Sequence, residues 1–177
     1  MSALHYLCTE QLAQLSQQRP GEVRLASILR LPDRELSLAD NLAQQAANGA
    51  RFVLVGIPED IGPRANCGLG GAELGFQAFL SKFLNLQENP LLAASNILLL
   101  GNVNCADLQQ QSHELSSKPA DLVLLRQLCQ QIDSRVYQVL SAIFASGLTP
   151  IIIGGGHNNA LPILQALSEQ HRQAVNC

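Results

Sequence analysis

His157 stands directly after three glycines, Gly154-Gly155-Gly156, which follow three β-branched residues, Ile151-Ile152-Ile153. The β-branched run, entered through Pro150, predicts a short buried strand. The glycines predict a sharp turn at which a ligand can come close to the backbone. In an α/β sheet, ligands bind beyond the carboxyl ends of the strands, and His157 falls there. An imidazole at that place suits metal coordination or acid–base work, although a single histidine is as often a hydrogen-bonded structural residue. The glycine turn opening a helix could also cradle a phosphate with its N–H groups, which would leave His157 without a role.

The other chemically capable residues are weaker candidates. Gly68-Leu69-Gly70-Gly71 precedes a helical pattern, but Glu73 occupies the third glycine position of a dinucleotide fingerprint. The segment also begins well after its strand rather than directly behind it. No glycine is followed by lysine, which excludes a P-loop. Glu59 and Asp60 are acids in a glycine-rich loop and are expected to be solvated. His5 and His113 lie in terminal or polar segments, and His171 suits the carboxyl end of a helix dipole. After Asp133 there is no further Asp and only one Glu, Glu169. A hydrolytic metal centre needs several carboxylates, and a nucleophile triad needs a base and an orienting group. The chain therefore holds no complete catalytic constellation.

Elements that would position His157 can be read along the chain. Leu4–Gln18 predicts a helix, and Val23–Leu31 a short strand or irregular edge. Ser37 is an N-cap for a helix through Asn48, with Leu38, Leu42 and Ala46 on one face. Phe52–Pro58 and Ile97–Gly101 are continuous apolar runs, as in a sheet covered on both faces. Between them lie a glycine-rich loop over Glu59–Gly75 and a helix from Ala72 with Phe76, Phe79, Leu80 and Phe83 in one stripe. Cys105–Pro119 reads as a polar surface excursion. Asp121 caps the longest helix, which ends at Gly147. A further helix runs from the glycine turn to about Gln170, and Gln173–Cys177 reads as the opening of another strand. The alternation predicts an α/β fold with a mostly parallel sheet. The chain reads as part of a single domain spanning 1–177 that continues further, with residues 1–35 as a less defined N-terminal extension.

Composition limits the function. The 177 residues are 47% hydrophobic and 14% charged, with net charge −3 and only two lysines, Lys82 and Lys118, so no basic footprint for nucleic acid exists. No apolar run approaches the ~20 residues that span a bilayer, and no signal peptide is visible at the start. Five cysteines at irregular spacing, without C-x-x-C, argue against a disulfide framework or zinc site and for a reducing cytoplasm.

The strand followed by Gly154-Gly155-Gly156-His157 resembles the first metal-binding motif of the ureohydrolase family of arginases, agmatinases and formimidoylglutamases. The usual form there is Gly-Gly-Asp-His, and Gly-Gly-Gly-His is similar to the formimidoylglutamase-like branch. Gly56-Ile57-Pro58-Glu59-Asp60-Ile61-Gly62-Pro63-Arg64-Ala65-Asn66, on to Gly71, resembles that branch's loop after the first strand. Phe83-Leu84-Asn85-Leu86-Gln87-Glu88-Asn89 adds to the likeness, which covers roughly Phe52 to Cys177. The resemblance implies a three-layer α/β/α fold and a pair of Mn²⁺ ions that activate a hydroxide for attack on a guanidino or formimino carbon. It implies His157 as one ligand of one ion, with the other ligands on Asp-Ala-His-x-Asp and Asp-x-Asp motifs. It also implies a cytoplasmic homo-oligomer of nitrogen metabolism. Gly156 and Asn158, where arginases carry Asp and Ser, favour the formimidoylglutamase-like branch. The chain alone is expected to be inactive and to bind Mn²⁺ weakly. The reading from a different class is a non-catalytic α/β module that binds an anion or nucleotide at the glycine turn.

Overall fold

The computed structural model describes residues 3–171. In order, its elements are β1 (Leu4–Tyr6), α1 (Thr9–Leu15), α2 (Leu38–Ala47), β2 (Phe52–Gly56), α3 (Ile61–Ala65), α4 (Gly75–Phe83), β3 (Ile97–Val103), α5 (Ala106–Ser112), α6 (Pro119–Ala145), β4 (Thr149–Ile153) and α7 (Ala160–His171). The strand expected over Gln173–Cys177 lies outside the described residues.

The apolar runs make the sheet, in the order β1-β3-β2-β4. β2 runs parallel to both β3 and β4, while β1 is antiparallel to β3. Alternate side chains of a strand leave on opposite faces. Val53, Val55, Leu98 and Leu100 therefore enter one core with Leu42 of α2, Leu108 of α5 and the Leu125, Ile132, Val136, Leu140 and Ile143 stripe of α6. Leu54, Ile97 and Leu99 enter the other with Leu12 of α1, Leu25, Leu29, and Phe76 and Leu80 of α4. Helices on both faces give the expected three-layer α/β/α arrangement with a mostly parallel sheet.

Several local expectations are corrected. The helix expected over Leu4–Gln18 begins only at Thr9, because Leu4–Tyr6 pairs with Val103–Gly101 of β3. Gly101 permits this approach: a Cβ there would lie 2.0 Å from the His5 carbonyl oxygen. The glycine-rich loop contains α3, and the polar excursion contains α5. α5 is tied to α6 by Arg135, whose Nη1 and Nη2 donate to Asp107 Oδ1 and Oδ2 at 2.6 and 2.8 Å. Asp121 does not cap α6; Lys118 precedes the helix, and Asp121 accepts from Ser116 N and Oγ. Ser37 does cap α2, accepting from Asp40 N at 3.2 Å. Val23–Leu31 is irregular, with one 3-10 turn over Leu25–Ser27.

β4 departs most from expectation. Its residues are exposed or half-buried rather than buried, with Ile151 37% exposed. Among the described residues β4 pairs only with β2, so it forms the sheet edge.

Candidate functional site

β2 and β4 end side by side, Gly56 opposite Ile153, and Ile57 N continues the ladder to Ile153 O at 3.0 Å. The loops leaving these two strands, Glu59 onward and Gly154 onward, therefore emerge together at the carboxyl end of the sheet. Gly154 and Gly155 turn the chain with φ of 88° and 83°. This left-handed region is open to glycine and strained for other residues.

The third glycine serves another purpose. Gly156 has an ordinary φ of −79°, yet a Cβ on it would meet Pro63 Cδ and Asn158 Oδ1, each at 2.3 Å. At Gly155 a Cβ would lie 2.6 Å from Asn159 Nδ2 and 2.8 Å from the Ile57 carbonyl oxygen. Among the described residues, what comes close to this turn is the chain's own α3 and the loop after β2.

Glu59, expected to be solvated, is completely buried. Its Oε1 accepts from Gly156 N at 2.5 Å and from Asn159 Nδ2 at 2.7 Å, and its Oε2 accepts from Gly62 N at 2.9 Å. One carboxylate thus joins the glycine turn to the first turn of α3. A buried carboxylate is tolerated when its lone pairs are filled in this way. Asp60 is buried as well. It accepts from Gly71 N at 3.0 Å and Gln109 Nε2 at 3.1 Å, with Arg64 Nη1 3.4 Å away. Burial pushes its carboxyl up, but the bonds from Gln109 and Gly71, the neighbouring Glu73 carboxyl and the Arg64 charge together outweigh burial and hold it below the usual range. Arg64 in turn donates to Ser112 Oγ, Ser112 O and Leu115 O, linking α3 to α5.

His157 opens a 3-10 turn over His157–Asn159, and its side chain is exposed. Among the described residues its ring has no hydrogen-bond or ion-pair partner. Asn158 points the other way, against Gly62 of α3. Its carboxamide lies beside Cys129 and Asp133 of α6 without closing a hydrogen bond of normal geometry. Burial raises the Asp133 carboxyl; the Asn158 amide opposes this and the Glu59 charge adds to it. The Cys129 thiol is pushed up to about 12 by burial and by the Asp133 and Glu59 charges, so it is no nucleophile at neutral pH.

His157 is thus delivered to the sheet end with a free imidazole, but it stands alone. Among the described residues no group of three His, Cys, Asp or Glu side chains is placed to hold a metal ion. These residues do not form a metal centre by themselves; they provide one nitrogen donor. The phosphate-cradle reading loses its main donor, because Gly156 N–H is already given to Glu59. A second anion would also face that buried carboxylate. Cys8, Cys67, Cys105 and Cys129 are free thiols, and no described helix is long and apolar enough to cross a membrane.

Residues 50–176 match the family model described as the arginase family. The chain belongs to that family. The crystal structure of Trypanosoma cruzi formiminoglutamase with Mn²⁺ has the same fold, with a TM-score of 0.52 and 21% sequence identity. The match covers 84% of this chain and 41% of that one, so the chain spans less than half the length of the structure it resembles. No curated protein gives a significant match. A Cβ on Gly156 would lie 2.3 Å from Pro63 Cδ, which favours glycine at this position. The sequence pointed to His157 and its three glycines through their types and spacing. It gave no sign of Glu59 as their partner, because its bonds to Gly156 and Asn159 join residues 97 and 100 positions apart.

Proposed function

We propose that this chain carries the first metal-ligand segment of a binuclear manganese hydrolase acting on a C–N bond of a guanidino or formimino substrate, with the formimidoylglutamase-like branch favoured. The observation that carries the reading is His157 at the carboxyl end of β4, its ring exposed and unpartnered among the described residues, inside the region that matches the arginase family. The Gly-Gly-Gly-His form and the Mn²⁺ formiminoglutamase of the same fold support the choice of branch and metal. When bound, such a metal pair supplies the hydroxide nucleophile. The part of this chain is to present the His157 nitrogen and to keep the turn beneath it rigid. Neither Asp-Ala-His-x-Asp nor Asp-x-Asp occurs in the 177 residues, so the chain by itself is inactive and binds Mn²⁺ weakly. The active protein is a cytoplasmic homo-oligomer.

The test is hydrolysis in the presence of Mn²⁺, with N-formimino-glutamate, arginine and agmatine offered to the 177-residue chain and to the same chain extended by its downstream coding sequence. Formamide release by the extended protein and none by the chain is expected. Turnover or micromolar Mn²⁺ affinity in the 177-residue chain would overturn the reading, as would an extension lacking the carboxylate motifs.

A further inference from the structure

The buried carboxylate beneath the glycine turn lies outside the Gly-Gly-Gly-His segment, and both its oxygens are taken by hydrogen bonds from the chain itself. We propose that Glu59 and Asn159 are positioning residues that aim His157, acting through the backbone on both sides of it. This rests on the reading of His157 as a ligand.

Glu59 Oε1 accepts from Gly156 N, the residue before His157, and from Asn159 Nδ2, two residues after it. Asn159 Nδ2 also donates to Gly156 O at 2.9 Å, and Asn159 N donates to the same carbonyl at 3.2 Å. Residues 156 and 159 are thereby locked to each other and to β2's loop, with only two residues between them. One of these, Asn158, is directed inward against Gly62, and the other, His157, is directed out. Metal-bound histidines are commonly aimed by a hydrogen bond to the second ring nitrogen. Among the described residues the His157 ring has no such bond, so what the clamped backbone sets is the direction of its Cα–Cβ bond, from which the ring is presented.

An apolar side chain would fill the space under the turn at less desolvation cost than a carboxylate. What an apolar residue cannot do is hold two N–H groups that flank the histidine at a fixed separation. Gly62 N on Oε2 completes the arrangement by fixing the carboxylate's own orientation against α3.

The experiment is NMR on the intact chain and two variants, Asn159→Ala and Glu59→Gln, with hydrogen exchange of the Gly156 amide and Mn²⁺-induced broadening of the His157 ring as readouts. His113, with an 82% exposed side chain, is the internal reference. In the unaltered chain, Gly156 N–H is protected and Mn²⁺ broadens His157 ahead of His113. Glu59→Gln leaves one oxygen for three donors and Asn159→Ala removes the tie to the Gly156 carbonyl, so both variants should weaken the Gly156 protection, and the Mn²⁺ response of His157 relative to His113 should weaken about tenfold, while thermal unfolding stays cooperative. A merely structural role would lower the melting temperature and leave the His157-to-His113 ratio unchanged. That result, or unchanged Gly156 protection in both variants, overturns the proposal. If Glu59→Gln fails to fold, Asn159→Ala decides; if neither folds, the pair is a folding determinant and the proposal is wrong. Weakened Gly156 protection in the variants, with no preference of Mn²⁺ for His157 in the unaltered chain, upholds the clamp and removes the metal reading instead.

Discussion

A Cβ on Gly156 would lie 2.3 Å from Pro63 Cδ. Asn158 Oδ1, equally close, sits on a side chain that can rotate, but the Pro63 ring is held in α3 and has no rotamer to escape into. Gly156→Ala, and Gly156→Asp, which restores the usual motif of the family, are both expected to lower stability by about 1–3 kcal/mol through overpacking. Urea unfolding at constant m-value checks this. An unchanged midpoint for Gly156→Asp would show that the turn adapts and that glycine here has no packing cause.

His157→Ala should behave in the opposite way. The ring is exposed and has no partner among the described residues, so removing it should change stability by no more than about 0.5 kcal/mol. A thermal melt of the chain without metal measures it. A clear loss of stability would mean that His157 is a structural residue, which is the reading a lone histidine always invites.

The contrast between these neighbours marks the limit of what the sequence could reveal. The strands at Phe52 and Ile97, the Ser37 cap and the His157 turn all rest on residues within a few positions of one another, and local pattern was enough. β1 escaped because three residues become a strand only through pairing with β3, nearly a hundred positions away. α3 escaped because Gly62 and Pro63 are poor helix residues, tolerated in a short helix whose first turn is fixed by Glu59. Glu59 itself looked like a solvated loop acid. Its burial follows from Gly156 and Asn159, which no local window contains.

Asp60 should give the protein an acid-sensitive component of stability. Its folded carboxyl lies below the ordinary value of 3.8, since Gln109, Gly71 N, the neighbouring Glu73 carboxyl and Arg64 together outweigh the effect of burial. The contribution is present at pH values above 3.8 and is lost as pH falls through the lower folded value. Asp60→Asn should cost about 2 kcal/mol at neutral pH, from weakened charge-assisted hydrogen bonds, and the deficit should narrow in acid. Unfolding of both proteins followed from pH 7 downward measures it, and a deficit independent of pH would contradict it.

Asp133 should show the reverse dependence. Burial raises its carboxyl above 3.8, with the Glu59 charge adding to the effect against the opposing Asn158 amide, so the folded state holds this proton more tightly than the unfolded chain. Stability from this group is therefore fully present below 3.8 and declines as pH rises through the raised folded value. Asp133 Oδ1 is also buried without a hydrogen-bond partner, as are both amide atoms of Asn158. Asp133→Asn removes the charge, keeps the shape and offers Asn158 an amide with which to pair. It should raise the melting temperature at neutral pH, with the gain vanishing below 3.8, where both proteins present an uncharged side chain. A destabilised Asp133→Asn protein at neutral pH would mean that the carboxylate is held ionised by a partner outside the described residues, and the sign of the argument would be reversed.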